Sequence, residues 1–394
     1  MYTLFVIVFI NLVGFGIVIP LLPFYAEHYD ASPDQVTMIM AVYSLSQFAT
    51  APLWGRLSDR FGRRPILLIS LAGTLAAYLW LASAADLADL YLSRTLAGLM
   101  AGSISSAFAY MADITDENDR ARGMGLIGAA FGLGFIAGPA IGGILAGADP
   151  AQTDFQLPAL AAAGFSGTAL ILSFATLKES LSPELRQRLA RQSGPERRRA
   201  FIEAMRDKGT RTMLVLTFLA VFVFAGLEAT FAMWTERKFG WGVMQNGYVF
   251  ALLGLISALI QGGLVGRLTR RFGELGLIRQ GFVALAIGLA LLPAADSLPF
   301  MMVALIVATY GFSVVTPALN SELSLGASED VRGGVLGLGR SASTLARAAE
   351  PAGAGYLFAF AGMDWPFITG AVIMAVVLVV SYTKGSDWAR SPGA

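Results

Sequence analysis

Long apolar stretches recur along this sequence, and they constrain its fold more than any other feature. A helix that crosses a lipid bilayer needs about 20 mainly apolar residues. We predict twelve such helices, at residues 2–25, 35–54, 65–84, 89–112, 122–146, 157–177, 212–235, 244–266, 277–296, 298–321, 333–361 and 364–382. The composition agrees, because 56% of the 394 residues are hydrophobic and only 14% are charged, whereas soluble proteins carry about a quarter charged residues. The sequence therefore predicts an all-α protein embedded in a membrane.

Basic residues indicate the orientation of these helices. With the amino terminus placed inside, 24 of the 28 lysines and arginines fall in segments on the cytoplasmic side, as the positive-inside rule requires. Both termini are then cytoplasmic. Ten of the basic residues lie in 178–211, a segment without a long apolar run, which we interpret as a cytoplasmic linker. The predicted domains are a six-helix bundle at 1–177, this linker at 178–211, and a second six-helix bundle at 212–394.

The two halves resemble each other. The segment from Gly55 to Gly62 (GRLSDRFG) aligns with the segment from Gly266 to Gly273 (GRLTRRFG) at an offset of 211 residues. Further matches at almost the same offset connect the fifth predicted span with the eleventh. Two parallel repeats predict pseudo-symmetric bundles that bind a substrate between them, near the middle of the membrane.

Composition also excludes several kinds of site. The chain has no cysteine and a single histidine, His28, so thiolate sites are excluded and histidine metal sites are not expected. We predict no metal and no cofactor. A net charge of +1 gives no reason to expect a nucleic acid partner. No nucleotide-binding loop or hydrolase motif is present, so an enzyme embedded in the membrane is not expected.

The short loop after the second span carries the most specific motif. It contains a glycine, an aspartate and several arginines at fixed spacing, and it resembles the signature loop of the major facilitator superfamily. Its glycines suit a tight turn, and its aspartate can pair with an arginine or cap a helix. The resemblance implies an inner gate, to which we also assign an acidic residue that ends the fourth span. These residues are Gly55, Asp59, Arg60, Gly62, Arg63, Arg64 and Asp113. In the second half Arg270 stands in place of the aspartate, so that loop is expected to keep its turn and lose the acidic latch.

Two further motifs resemble those of the same superfamily. Arg94 lies inside the fourth span, where an arginine normally faces a cavity or a partner. The resemblance implies a part in proton coupling, while the alternative is a structural arginine bonded to backbone carbonyls. Small residues in the fifth span permit close helix packing, and they resemble a motif found chiefly in antiporters. They are Gly134, Gly138, Pro139, Gly142 and Gly143.

The run from Ala109 to Gly123, together with Pro20-Leu-Leu-Pro23, is similar to the tetracycline-efflux-like, 12-span drug:proton antiporters. That similarity covers most of the first half and the second half only in outline. Those proteins carry an acidic residue in their first helix, where Asn11 stands here. A neutral amide does not carry a proton, so tetracycline itself is not expected as the substrate.

Two carboxylates lie within spans, Glu228 and Glu350, and we assign proton coupling to them together with Arg94. Arg347 lies three residues before Glu350 on the same predicted helix face. We therefore expect Arg347 to pair with Glu350 and leave Glu228 as the exchangeable carboxylate. Polar and aromatic residues are predicted to line the substrate cavity: Asn11, Tyr43, Gln47, Tyr110, Gln261, Asn320 and Arg347.

The function predicted from these features is proton-coupled efflux of an amphipathic, drug-like small molecule by alternating access. The resemblance places the protein as a monomer in a bacterial-type inner membrane, with protons, lipid and the small molecule as its partners. An importer or a metabolite or lipid carrier of the same fold remains open. A membrane receptor that does not transport is the alternative from another class.

Overall fold

A computed structural model describes residues 1–102, 104–116, 119–181, 206–327 and 332–383. Most of the predicted linker, residues 182–205, lies outside the described residues, as does the end of the chain from residue 384. The described part is helical apart from short connections. The fold is therefore all-α, as the sequence predicts.

Fourteen α-helices occur in the described part of the chain, and we number them in order. They are α1 (Tyr2–Val18), α2 (Leu21–His28), α3 (Pro33–Phe61), α4 (Arg63–Ala82), α5 (Leu87–Ala101), α6 (Ile104–Asp113), α7 (Arg120–Ala146), α8 (Gln156–Thr176), α9 (Lys208–Phe239), α10 (Val243–Leu259), α11 (Val265–Leu291), α12 (Leu298–Leu325), α13 (Arg332–Phe360) and α14 (Trp365–Thr383).

These helices account for the twelve predicted spans. Nine helical stretches of the described chain are long and apolar enough to cross a membrane, and α1 with α2 forms a tenth that is bent by 41°. One of the nine, Val243–Ala294, has 52 residues and is interrupted at Gly273, whose φ is 69°. It therefore contains the eighth and ninth spans. Helix α13 has the length of a span but carries several charged residues. It corresponds to the eleventh predicted span and brings the total to twelve.

Local sequence sets the ends of α3, which leads into the signature loop. Ser32 and Gln35 form a reciprocal capping box at its start, and Pro33 occupies the first turn, where a missing N–H does no harm. The helix ends at Gly62, whose φ of 108° suits glycine because that residue has no Cβ. Helix α4 starts at the next residue.

The described chain forms two compact units. The first comprises the described residues within Met1–Gln192 together with Phe231–Leu255. In this unit α1 packs against α7 and α8, and α5 packs against α3 and α4. The second comprises those within Ser193–Thr230 and Ile256–Ala394, where α11 packs against α12 and α14.

Candidate functional site

The signature loop is organised around the buried side chain of Arg63, the first residue of α4. Its Nη1 donates to Asp59 Oδ1 at 2.6 Å and to Ser58 Oγ at 3.1 Å, and its Nε donates to Asp113 Oδ2 at 3.1 Å. Arg63 is only 6% exposed. Charge-assisted hydrogen bonds of this kind are stronger than neutral ones, so the loop joins the end of α3 to the end of α6.

Glu179, which lies just after α8, completes this arrangement. Its carboxylate accepts from the backbone N–H groups of Arg63 at 2.8 Å and Arg64 at 3.2 Å, which otherwise have no partner within the helix. The negative charge also suits the positive end of the α4 dipole. Any Cβ at Gly62 would collide with the Glu179 carboxylate. We call Asp59, Arg63, Asp113 and Glu179 the signature-loop cluster.

Sequence reasoning missed Glu179 because it falls inside the predicted linker. Its position directly after an apolar span was the available signal. Two other contacts hold the same stretch of chain: Tyr110 Oη donates to the Lys178 carbonyl at 2.7 Å, and Ser180 Oγ donates to Asp113 Oδ2 at 3.0 Å. The start of the predicted linker therefore belongs to the first unit.

The remaining residues predicted for the gate lie around this cluster. Arg64 Nη2 donates to the Phe174 carbonyl at 2.9 Å. The Arg60 guanidinium lies 5.3 Å from the centre of the Phe61 ring. No neighbouring atom lies within 4 Å of the place where a Cβ on Gly55 would stand, so packing does not require glycine there.

The repeated loop in the second half keeps the backbone turn. Gly273 has a φ of 69° and aligns with Gly62. Arg270 aligns with Asp59, and Glu274 aligns with Arg63, so the two signs of charge are exchanged. Glu274 Oε1 accepts from Ser321 Oγ at 3.4 Å. The second loop thus keeps an acidic residue, four positions further along the chain than the aspartate position of the motif.

The small residues of the fifth span pack α7 directly against α1. A Cβ on Gly138 would collide with the backbone of Gly16, and one on Gly142 would collide with the backbone of Ile17. Another glycine of the same helix, Gly143, lies close to the backbone at the start of α10. This motif therefore requires glycine for close approach of backbones on two sides.

Arg94 on α5 is buried in the first unit and only 3% exposed. Its guanidinium lies 4.5 Å from the centre of the Tyr43 ring, and the Tyr78 hydroxyl is a polar neighbour. Its Nε and Nη1 atoms have no hydrogen-bond partner. A cation–π contact contributes about 0.5–2 kcal/mol, whereas burying an ion costs several kcal/mol. The protein alone therefore does not fully compensate this charge.

Other polar residues predicted for the cavity have partners in the first unit. Asn11 Oδ1 accepts from Ser166 Oγ at 3.2 Å, which links α1 to α8. Gln47 Nε2 donates to the Ala101 carbonyl at 3.4 Å, which links α3 to α5. Tyr110 is buried, and its hydroxyl donates to the Lys178 carbonyl just after α8. A cavity role for these residues stays a prediction.

The second unit brings three charged residues together. Arg347 Nη1 on α13 donates to Glu228 Oε2 on α9. Glu350, one turn further along α13, packs against the backbone of Gly226 and is 6% exposed. Its Oε2 atom is buried and has no hydrogen-bond partner.

This arrangement corrects the expected pairing. Arg347 pairs with the carboxylate on the neighbouring helix rather than with the one on its own helix. The physical reason is that Glu350 points into the contact with Gly226, where a missing side chain leaves room for it. Arg347, with 40% of its side chain exposed, reaches Glu228, which has 23% exposed.

Two predicted cavity residues of the second unit lie at more open positions. Gln261 lies in a π-helical turn, Ile260–Leu264, and its Nε2 donates to Ser257 Oγ at 3.1 Å. Asn320 is exposed near the end of α12. A cavity role for Gln261 and Asn320 stays a prediction.

Comparison with known proteins agrees with this architecture. A family model described as Major Facilitator Superfamily matches residues 4–351. The tetracycline resistance protein, class C, of Escherichia coli is 34% identical and aligns with 97% of this chain and 96% of its own length. Multidrug resistance protein 2 of Bacillus subtilis (strain 168) is 30% identical, over 95% of this chain and 94% of its own length.

A solved structure gives the same result. The human organic anion transporter MFSD10 (TETRAN) has a TM-score of 0.71 and 27% sequence identity, covering 96% of this chain and 98% of its own. The family match, the resistance-protein relatives and this structural similarity agree with the signature loop and the glycine motif. The chain is a multi-pass membrane protein and belongs to the major facilitator superfamily.

Proposed function

We propose that this protein exports an amphipathic small molecule in exchange for protons by alternating access. The observation that carries the proposal is Glu350, a buried carboxylate with an unpartnered oxygen, beside a separate ion pair of Glu228 and Arg347. Drug-resistance relatives over nearly the whole chain support export. The glycine motif of α7 also favours an antiporter.

Proton exchange follows from the chemistry of these three residues. A buried carboxylate oxygen without a partner is costly when the group is ionised, and Glu350 Oε2 is such an atom. Glu350 therefore calls for a proton or a cationic ligand to neutralise it. Arginine side chains remain charged in proteins, and Glu228 balances the charge of Arg347. We therefore assign the exchangeable proton to Glu350, with the Glu228–Arg347 pair fixing the electrostatic environment.

The signature-loop cluster supplies the proposed inner gate. The positive-inside distribution of lysine and arginine supports cytoplasmic termini, which puts this loop on the cytoplasmic side. We propose that the bonds from Arg63 to Asp59 and Asp113 hold the cytoplasmic ends of α3, α4 and α6 together. Opening towards the cytoplasm would then strain or break them.

In the proposed organisation, a linker joins two bundles at 1–177 and 212–394. The proposed functional unit is a monomer in a plasma membrane. No enzymatic activity is proposed, since its relatives are transporters. A second candidate function is the carriage of organic anions, including import, because MFSD10 is described as an organic anion transporter. A transport assay in proteoliposomes distinguishes the two directions of transport.

Transport in proteoliposomes tests the proposal. Purified protein is reconstituted into liposomes with an acidic lumen, and uptake is measured for a panel of fluorescent amphipathic cations, neutral drugs and carboxylates, with tetracycline included. An antiporter accumulates its substrate in the acidic lumen and loses it when nigericin collapses the pH gradient. A symporter requires the opposite gradient.

Two variants assign the proton. Glu350→Gln should abolish accumulation driven by the gradient while leaving exchange of labelled for unlabelled substrate. Asp296→Asn removes an exposed carboxylate of the second unit and should transport normally. Gradient-driven accumulation by Glu350→Gln at the normal level would contradict the assignment of the proton.

A further inference from the structure

Arg94 is a buried cation for which the first six spans offer no acidic partner. Within the spans predicted in residues 1–177, acidic residues are absent except for Asp89, which begins the fourth span. Residue 11 of the first helix is an asparagine, and its side-chain oxygen accepts from Ser166. The guanidinium nevertheless keeps two nitrogens, Nε and Nη1, without a partner. A buried, unpaired charge calls for a counter-charge from elsewhere.

An aromatic wall borders this guanidinium in the same unit. Tyr43 lies against Arg94, and its ring centre is 5.3 Å from that of Phe15. Phe15 in turn lies 5.8 Å from Phe135, edge to face. All three rings are partly exposed, so the wall reaches the surface of the unit. A flat apolar group can stack on the exposed parts of these rings, beside the buried arginine.

We propose that Arg94 with Phe15, Tyr43 and Phe135 binds the anionic group and aromatic body of an amphipathic organic anion. The two unpartnered nitrogens donate charge-assisted hydrogen bonds to a carboxylate or sulfonate. The rings take the apolar part of the same molecule. We call these four residues the Arg94 site. The inference names a substrate class for the proposed transporter and rests on that function for its biological role, but binding itself is measurable without transport.

A matched series of probes tests the site in the unaltered protein. The probes are 1-pyrenebutyrate, its methyl ester and 1-pyrenemethylamine, which share an aromatic body and differ in charge. Binding to the full chain in nanodiscs is measured by pyrene fluorescence, with no gradient present. The carboxylate should bind at least about tenfold more tightly than the ester, and the amine more weakly than either. Equal affinity for the carboxylate and the ester would overturn the proposal.

Variants then locate the effect. Arg94→Gln should weaken the carboxylate by about tenfold or more and leave the ester unchanged, since hydrogen bonds to a charged group contribute about that much. Arg94→Lys keeps the charge and should retain part of the preference. Arg122→Gln is the control, because it removes an exposed arginine of the same unit. Equal loss for carboxylate and ester in Arg94→Gln indicates a structural arginine and refutes the site.

The binding test of the Arg94 site and the transport test of the proposed function can fail independently. Because the unaltered protein is compared across three probes, the result stands even if Arg94→Gln does not fold. Preferential binding of the carboxylate supports the Arg94 site whether or not the pH gradient drives transport. Failure of gradient-driven transport counts against the proposed function alone.

Discussion

Glu228→Gln should destabilise the protein, whereas Glu350→Gln should not. The first substitution removes the partner of Arg347 and leaves a cation without compensation. Breaking a fully buried ion pair costs about 3–5 kcal/mol, and an exposed pair contributes about 0–1 kcal/mol. Because this pair is partly exposed, at 40% and 23% of its side chains, we expect a loss of about 2 kcal/mol.

Glu350 presents the opposite case. Its Oε2 atom has no hydrogen-bond partner to lose, and glutamine has nearly the same shape as a protonated glutamate. We expect a change of less than about 1 kcal/mol, of either sign. In a unit of roughly 200 residues, 1 kcal/mol shifts the melting temperature by about 2–4 °C. Glu228→Gln should therefore melt about 4–8 °C lower, and Glu350→Gln within about 4 °C of the original.

Differential scanning fluorimetry in nanodiscs measures both variants, using intrinsic tryptophan. The double variant Glu228→Gln with Arg347→Gln is the control, since removing both charges should recover part of the lost stability. Were Glu350→Gln to melt well below the original while Glu228→Gln remained unchanged, the pairing of Arg347 with Glu228 would be refuted as an energetic contact.

Three further predictions concern the loop and the glycine motif. Gly62→Ala should lower stability by about 1–2 kcal/mol, because its left-handed backbone disfavours a Cβ and the Cβ would displace the Glu179 carboxylate that caps α4. Gly55→Ala, at an open helical position, should be neutral or slightly stabilising in the same thermal assay. Gly138→Ala should reduce both stability and transport through collision with the neighbouring helix backbone, while Gly128→Ala on the same helix has open space and should retain both. Asp59→Asn should weaken the hydrogen bond that Asp59 accepts from Arg63. It should therefore increase labelling of cysteines introduced at the cytoplasmic face of this cysteine-free chain. Unchanged labelling and transport would argue against a latch.

The lengths of the apolar stretches and the composition predict the helices because a bilayer admits few alternatives to an apolar helix. The repeated loop motif locates the turn at Gly62 and its counterpart at Gly273, since the conformation at a glycine is a local property. The partners of charged residues are not local. Arg347 has a carboxylate on its own helix and another on a neighbour, and only tertiary packing decides between them.

Glu179 illustrates the same limit for the loop. Capping of α4 depends on the path of the chain more than a hundred residues later, which no local pattern encodes. Arg94 is recognisable in the sequence as an unusual residue for a membrane span. Its surroundings, an aromatic ring and two unpartnered nitrogens, emerge only from the packing of α3, α4 and α5.

The charges of α13 have a consequence for how the protein enters the membrane during synthesis. Helix α13 carries Arg340, Arg347 and Glu350, and it is not among the stretches that are apolar enough to cross a membrane by themselves. A single arginine at the centre of a helix already opposes insertion by about 2.5–3.5 kcal/mol. Helix α13 is therefore expected to be retained near the translocation machinery until α9, already synthesised, offers Glu228 to its arginine.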